Sequence, residues 1–185
     1  MRGRNLTFAL VALGALGVVL LAVGLLLVRG VDGEDDDDAD VVAPVGFGVE
    51  PTPVAADAEP EFARAFSEVQ IAIGAIDGGP CVDLLVADTP ERRNQGLRAV
   101  DDLGEWDGML FVRPEPAASA FTMAGTAMDL SIGWYDVDGH LLGTSDMVVC
   151  DGTDSTCPTY PSPGPWSYAV EYPIDTLPPG DLSRC

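Results

Sequence analysis

The segment "LSIGWYDVDGHLLGTSDMVV", from Leu130 to Val149, gives the clearest indication of the fold class. Its two halves, Leu130–Val137 and His140–Val149, are rich in the aliphatic, β-branched and aromatic residues that favour strands. Between them stands Asp138-Gly139, a pair in which both residues tolerate the positive φ that a tight hairpin turn requires. The stretch therefore predicts two antiparallel strands joined by a turn.

Segments of the same character recur along the chain, which extends the prediction from a hairpin to a sheet. Each is short and bounded by Gly, Pro and Asp, as in all-β sandwiches and barrels. They are Glu68–Ile76, Cys81–Ala87, Gly108–Val112, Ser119–Met123 and Ser167–Pro173. We therefore expect a mainly β domain, a small antiparallel β-sandwich or barrel-like fold.

One segment, "ADTPERRNQGLRAV", departs from the strand pattern. Thr89 suits an N-cap, Pro90 the first helical position, and Glu91 the positive end of the helix dipole. These residues predict one short helix that begins at Pro90 and ends at Gly96 or Leu97.

An uncharged apolar run, Leu6–Val28, precedes this domain. As a helix it would measure about 35 Å, enough to span a hydrocarbon core of about 30 Å. A cleaved signal peptide is the alternative, but "VRGVDGEDDDD" after the run is a poor cleavage site. Arg2 and Arg4 precede the run and only Arg29 follows it closely, which predicts a cytoplasmic N-terminus, residues 1–5. We therefore expect a single-pass cell-membrane protein with its C-terminal domain outside.

Composition divides the remainder and excludes one class of partner. Residues 29–65 are rich in Pro, Ala and acids, which predicts a disordered acidic stalk, and residues 66–185 form the predicted extracytoplasmic domain.

The chain carries 30 acidic residues against nine arginines, for a net charge of −21. Nucleic-acid binding needs basic side chains to neutralise phosphates, so nucleic acid is excluded as a partner.

Four ordered blocks resemble a known family. They are "VADTPERRNQGL", "GMLFVRPEP", "FTMAGTAMDLSIGWYDVDGHLL" and "CPTYPSPGPWSYAVEY". In order and spacing they are similar to the domain of unknown function 192 family, DUF192, over about residues 82–172. The resemblance implies a small mainly β domain, often exported or membrane-anchored, with no established activity.

The chain departs from the family pattern in its central block. Relatives usually carry a segment similar to "FWMKNT", whereas this chain has "FTMAGT". Phe121, Met123 and Thr126 match that pattern, but Thr122, Ala124 and Gly125 do not. Any chemistry that relatives derive from the lysine and asparagine is therefore absent here.

Four cysteines predict disulfides if the domain lies outside the cytoplasm, where thiols oxidise. Cys150 and Cys157 would close a short loop, and they lack the CxxC spacing of thioredoxin-like redox sites. Cys81 and Cys185 could pair with each other, or Cys185 could stay free for an intermolecular bond. A zinc site needs about four ligands and the chain has one histidine, so neither metal nor cofactor is expected.

No residue of the chain is predicted to be catalytic. Asp136, Asp138 and His140 are better explained by the hairpin turn than by a metal or acid–base cluster. No G-x-S-x-G motif is present. The arginines of the helical segment, Arg92, Arg93 and Arg98, are expected to form salt bridges with surrounding acids.

The residues nominated for binding lie in a predicted groove near the altered block and the Pro-rich segment. They are Trp106, Phe121, Met123, Thr126, Asp129, Tyr160 and Trp166. The domain is expected to be a binding or accessory module of the cell envelope, with an envelope protein or wall polymer as partner. An enzyme that acts on envelope material and a purely structural surface spacer are the alternatives.

Overall fold

The computed structural model of the chain describes residues 50–74 and 79–185, whose strands form two sheets. One short helix, α1, covers Pro90–Gln95, and a 3₁₀ helix covers Glu61–Ala65. The strands are β1 Thr52–Pro53, β2 Ser67–Gly74, β3 Cys81–Ala87, β4 Gly108–Ala117, β5 Ala120–Thr122, β6 Leu130–Tyr135, β7 Leu141–Met147, β8 Thr159–Pro161, β9 Trp166–Pro173 and β10 Asp181–Ser183. The mainly β prediction with one short helix is confirmed.

The larger sheet has eight strands in the order β1-β2-β3-β4-β9-β6-β7, with β10 paired to β2; β5 and β8 form a separate pair. The prediction of an antiparallel fold is wrong at one place, because β3 and β4 run parallel. A parallel pair needs a crossover connection. The segment that contains α1 provides it.

The last strand brings the two ends of the sheet together. β10 pairs with β2 on one side, and on the other Leu182 N donates to Gly139 O at 2.8 Å. The Asp181 carboxylate also accepts from Leu141 N at 2.8 Å. β10 therefore lies between β2 and the β6–β7 hairpin, so the sheet curls towards a barrel at this end.

Side chains alternate between the two faces along each strand, and each face of the sheet carries a buried apolar cluster. One face carries the cluster that contains Leu84, Leu110 and Val170. The other carries Phe111, Ile132 and the residues packed over them. A strand between two apolar layers offers no solvated side for a charged residue.

The predicted stalk boundary at residue 65 is wrong for the part of the stalk that the structure describes. β1 pairs with β2 through Thr52 and Glu68, and Val54 and Ala63 are buried in the core. A few apolar residues among prolines and acids suffice to attach this segment, although its composition is typical of a spacer. The remaining stalk residues, the residues 1–5 and the predicted membrane helix Leu6–Val28 lie outside the described residues. Among the described residues, no helix has the length and apolar character needed to cross a membrane.

Local sequence signals predict the bounds of the helix closely and those of the hairpin strands only approximately. Thr89 Oγ1 accepts from Arg92 N at 3.2 Å, and the helix ends before Gly96, whose φ is +51°. The hairpin strands are shorter than predicted, with a five-residue loop instead of a two-residue turn. Asp136 explains the difference, because its carboxylate accepts from the backbone N–H groups of Asp138 and His140, both at 2.9 Å.

Both cysteine pairs are bonded, so the predicted Cys150–Cys157 bond is confirmed and the alternative of a free Cys185 is wrong. β3 and β10 flank β2, which brings the Cα atoms of Cys81 and Cys185 to 5.6 Å. This separation is typical of a disulfide.

Candidate functional site

A cavity of about 310 Å³ opens over the Phe111 face of the sheet, between α1, β4, β5 and β9. Three of the nine arginines of the chain line it, together with aromatic side chains and one buried carboxyl group. We call it the arginine cleft. The residues that define it here are Arg93, Arg98, Phe111, Arg113, Phe121, Thr126, Trp166 and Glu171.

Glu171 is the buried acid of the cleft. It lies on β9 with 5% of its surface exposed, between Met109 of β4 and Ile132 of β6. Burial raises the pKa of Glu171 to about 8, although the charge of Arg98 acts in the opposite direction. Glu171 is therefore mostly protonated at neutral pH, so its carboxyl group can both donate and accept a hydrogen bond.

Arg113 and Arg93 supply two positive charges. The Arg113 guanidinium carbon lies 4.5 Å from the ring centroid of Trp166, and its buried Nε has no hydrogen-bond partner in the described chain. Arg93 donates to the backbone oxygens of Asp88 and of Val112, the latter at 3.0 Å. Burial and the neighbouring charge of Arg113 lower the pKa of Arg93. The two guanidinium groups thus repel each other.

Arg98 is the third cation, and protein groups hold it firmly. Its guanidinium donates to Ala124 O at 2.7 Å and to the Asp154 carboxylate at 2.7 Å. Asp154 belongs to the loop that Cys150–Cys157 closes. The short disulfide loop therefore positions one wall of the cleft.

The aromatic wall surrounds Phe121. Its ring centroid lies 5.2 Å from that of Phe111, 5.6 Å from that of Trp166 and 6.3 Å from that of Trp134. Trp166 Nε1 donates to Ser119 Oγ at 3.1 Å, which fixes the indole under Arg113. The cleft thus offers rigid apolar surface beside its charges.

The structure brings some of the nominated residues together and separates others. Phe121, Thr126 and Trp166 line the arginine cleft. Met123 is buried in the core beneath it. Tyr160, on β8 opposite Phe121, accepts from Val148 N at 3.3 Å through its hydroxyl, and Asp129 accepts from Val149 N at 2.7 Å. These contacts give Tyr160 and Asp129 structural roles.

Trp106 lies outside the arginine cleft. It is buried and donates from Nε1 to Glu68 at 3.0 Å, beside a second depression lined by Asp101, Asp102 and Asp107. The predicted groove that joined Trp106 to Trp166 is therefore two separate surfaces.

The sequence analysis missed Glu171 and Arg113 and assigned Arg93 to a salt bridge. Arg92 and Arg98 do pair with acids, Asp88 at 2.9 Å and Asp154 at 2.7 Å, whereas Arg93 donates to the backbone oxygens of Asp88 and Val112. Glu171 does leave a signal in the sequence. It stands in "SYAVEYP", a strand with apolar residues at both alternating sets of positions, where an acid has no solvated face.

His140 lies outside the cleft, on the hairpin, with Nδ1 3.0 Å from Asp181 Oδ2. Within residues 50–74 and 79–185, no three His, Cys, Asp or Glu residues are grouped so that they could hold a metal ion.

Comparisons with known proteins agree with this architecture. The DUF192 family model, described as "Uncharacterized ACR", matches residues 73–179. No curated protein matches the chain. The fold is similar to that of a candidate transcription regulator from Sinorhizobium meliloti 1021, with a TM-score of 0.50 and 24% identity, covering 63% of this chain and 91% of that chain. It is also similar to that of a protein of unknown function from Novosphingobium aromaticivorans DSM 12444, with a TM-score of 0.56 and 19% identity, covering 76% of this chain and 97% of that chain. At these identities the two structures show the fold alone.

Proposed function

The chain belongs to the DUF192 family, which is described only as uncharacterised, and we propose that its β domain is a ligand-binding module of the cell envelope. The arginine cleft is the proposed binding site. A membrane anchor at Leu6–Val28 would hold the domain at the cell surface.

One observation carries this proposal: the Nε atom of Arg113 is buried at the cleft and has no hydrogen-bond partner in the described protein. Glu171, which is 5% exposed, lines the same cleft. Buried polar groups in folded proteins nearly always have partners, because leaving one unpaired costs about 1–3 kcal/mol. A ligand with an acceptor oxygen in the cleft would pair with Arg113 Nε.

The two disulfides support a place outside the cytoplasm. Such bonds persist in oxidising compartments and are rare where thiols are kept reduced. Both pairs are bonded, and no cysteine of the chain is free. An envelope protein or wall polymer is thus the kind of partner that the domain would meet.

Gene regulation through DNA contact is disfavoured, even though one structural neighbour is a candidate transcription regulator. The net charge of −21 would repel the phosphate backbone. Three arginines inside a small cavity do not form the extended basic surface that a duplex needs.

An enzyme that acts on envelope material is the second candidate, and Glu171 favours it. A carboxyl group whose pKa is raised to about 8 retains its proton near neutral pH, as a general acid must. Asp154, the other acid that lines the cleft, is paired with Arg98. If the domain were an enzyme, Glu171→Gln would abolish turnover of a bound ligand without loss of binding.

Site-specific photo-crosslinking in cells tests the binding proposal. A photoreactive residue in place of Ala120, which is exposed at the cleft, should capture an envelope component from the full-length protein. The matched control replaces Val137, which is 58% exposed on the hairpin loop and does not line the cleft. Capture at residue 120 alone supports the proposal. Equal capture at both positions, or none at residue 120, contradicts it and favours the structural spacer.

A further inference from the structure

We propose that the arginine cleft is specific for a small hydroxylated carboxylate of the uronic-acid type, with its carboxylate on Arg113 and Arg93 and a hydroxyl on Glu171. This inference rests on the proposed binding function and names the class of ligand. The same chemistry occurs in a free sugar acid and in a uronate unit of an envelope polymer.

The charge of the cleft calls for an anion. The chain has more than three acids for each arginine, yet three arginines line this one cavity. Arg98 is neutralised by Asp154 at 2.7 Å, whereas Arg113 has no carboxylate partner in the described part of the chain. Arg93 and Arg113 are close enough for the charge of one to lower the pKa of the other. An anion between them would replace this repulsion with attraction.

The geometry of Arg113 favours a carboxylate. Its guanidinium is stacked on Trp166, and Trp166 is fixed by the hydrogen bond to Ser119. A planar guanidinium held in one orientation matches the two oxygens of a carboxylate in a bidentate pair. Because Arg113 is already oriented by the indole, little conformational entropy is lost when the pair forms.

Glu171 supplies the contact for a hydroxyl. The groups that face it from neighbouring strands are apolar, Met109 on β4 and Ile132 on β6, and the charged groups around the cavity are the three arginines and Asp154. A protonated carboxyl group can donate one hydrogen bond and accept another, as a sugar hydroxyl can. An ionised Glu171 would instead repel a bound anion, so binding should weaken as Glu171 loses its proton.

The size of the cleft sets an upper limit on the ligand. About 310 Å³ lies at the low end of the range for small-molecule pockets, about 300–1,000 Å³. Phe121 and Phe111 provide apolar surface against which the C–H face of a sugar ring can pack. A monosaccharide unit fits this combination, whereas a dinucleotide or a porphyrin would exceed it.

Titration calorimetry on the purified full-length protein in detergent tests the inference, with glucuronate, glucose and glucose 6-phosphate as probes. We expect glucuronate to bind at least tenfold more tightly than either of the other two. Arg113→Gln should reduce glucuronate affinity at least tenfold. The matched control Arg64→Gln removes an arginine that pairs with Glu59 outside the cleft, and it should leave the affinity for glucuronate unchanged. Equal binding of glucose and glucuronate, or full affinity in Arg113→Gln, would overturn the inference.

The pH dependence separates Glu171 from a general charge effect. Wild-type affinity for glucuronate should fall between about pH 7 and pH 9 as Glu171 ionises, whereas Glu171→Gln, neutral throughout, should bind at pH 9 as it does at pH 7. The same fall in both proteins would contradict the role of Glu171. Tighter binding of an oligouronate than of the monomer identifies a polymer as the source, and equal binding identifies the free acid.

Failure of this inference is distinguishable from failure of the proposed function. If photo-crosslinking at residue 120 captures an envelope component while none of the sugar probes binds in calorimetry, that result supports the binding function and contradicts the assignment of a uronate as the ligand. If neither experiment gives a signal, both the binding function and the uronate assignment are wrong.

Discussion

Asp181 on β10 lies 3.0 Å from His140 on the β6–β7 hairpin, measured between Oδ2 and Nδ1. The same carboxylate accepts from Leu141 N, so a single acid holds the last strand against the hairpin. The hydrogen bond that His140 donates to the Asp181 carboxylate raises the pKa of His140, and the hydrogen bonds donated by Leu141 N and His140 lower the pKa of Asp181.

This pair should make stability depend on pH in a defined window. The contribution of His140 is fully present below its ordinary pKa of 6.5 and is lost as the pH rises through the raised value. That of Asp181 is fully present above its ordinary pKa of 3.8 and is lost as the pH falls through the lowered value. Urea denaturation of wild type and His140→Gln should therefore differ most at about pH 4–6 and converge well above pH 7. A constant difference at all pH values would exclude the charge interaction.

Ionisation of Glu171 should destabilise the fold. A carboxyl group whose pKa is raised to about 8 on folding binds more protons in the folded than in the unfolded state, so stability falls as the pH rises from about 4.5 to 8. Glu171→Gln removes this loss and should be the more stable protein at pH 9, by an amount on the order of a few kcal/mol. Denaturation at pH 5 and pH 9 measures it, with Glu50→Gln, an exposed acid, as the control. Parallel pH profiles for wild type and Glu171→Gln would refute the burial argument.

The two disulfides should contribute unequally. Cys81–Cys185 joins residues 104 apart in sequence and Cys150–Cys157 residues seven apart. Chain entropy predicts a loss of about 4.8 kcal/mol for Cys81→Ser with Cys185→Ser, and of about 2.5 kcal/mol for Cys150→Ser with Cys157→Ser. Urea denaturation of the two double variants shows which disulfide contributes more to the free energy of unfolding. A greater loss from the short loop would show that local contacts outweigh chain entropy.

The cap of α1 should have a modest effect on stability. Thr89 Oγ1 accepts from Arg92 N at 3.2 Å, so Thr89→Ala should cost about 1 kcal/mol in the free energy of unfolding. Thr89→Ser retains the oxygen and should cost little. Thr52→Ala, at an exposed site, is the control. Equal losses for Ala and Ser at residue 89 would mean that the methyl group, and not the cap, matters.

The sequence predicts those parts of the fold that depend on local signals. The strand character of Cys81–Ala87 and the start of α1 at Pro90 follow from residue type and capping, and the structure agrees. The parallel pairing of β3 with β4 depends on the path of the crossover, which no local pattern specifies. The attachment of Val54 and Ala63 likewise depends on a partner surface far along the chain.

In the candidate site, too, some residues can be predicted from local sequence signals and others depend on distant parts of the chain. Phe121 and Trp166 could be nominated as large aromatic residues near an unusual block, and both line the cleft. Arg113 and Glu171 are separated by 58 positions, and both line the cleft because β4 pairs with β9. Their importance comes from their shared position in the wall of one cavity, a property of the assembled sheet.

The position of Asp154 has a consequence for how the protein matures. Asp154 holds Arg98, and the loop that carries Asp154 is closed by Cys150–Cys157. A newly made chain whose thiols are still reduced lacks this closure, so one wall of the cleft is not yet fixed. Under the proposed binding function, full affinity for the ligand would be reached only after oxidation, and a chain still in a reducing compartment would not bind the ligand prematurely.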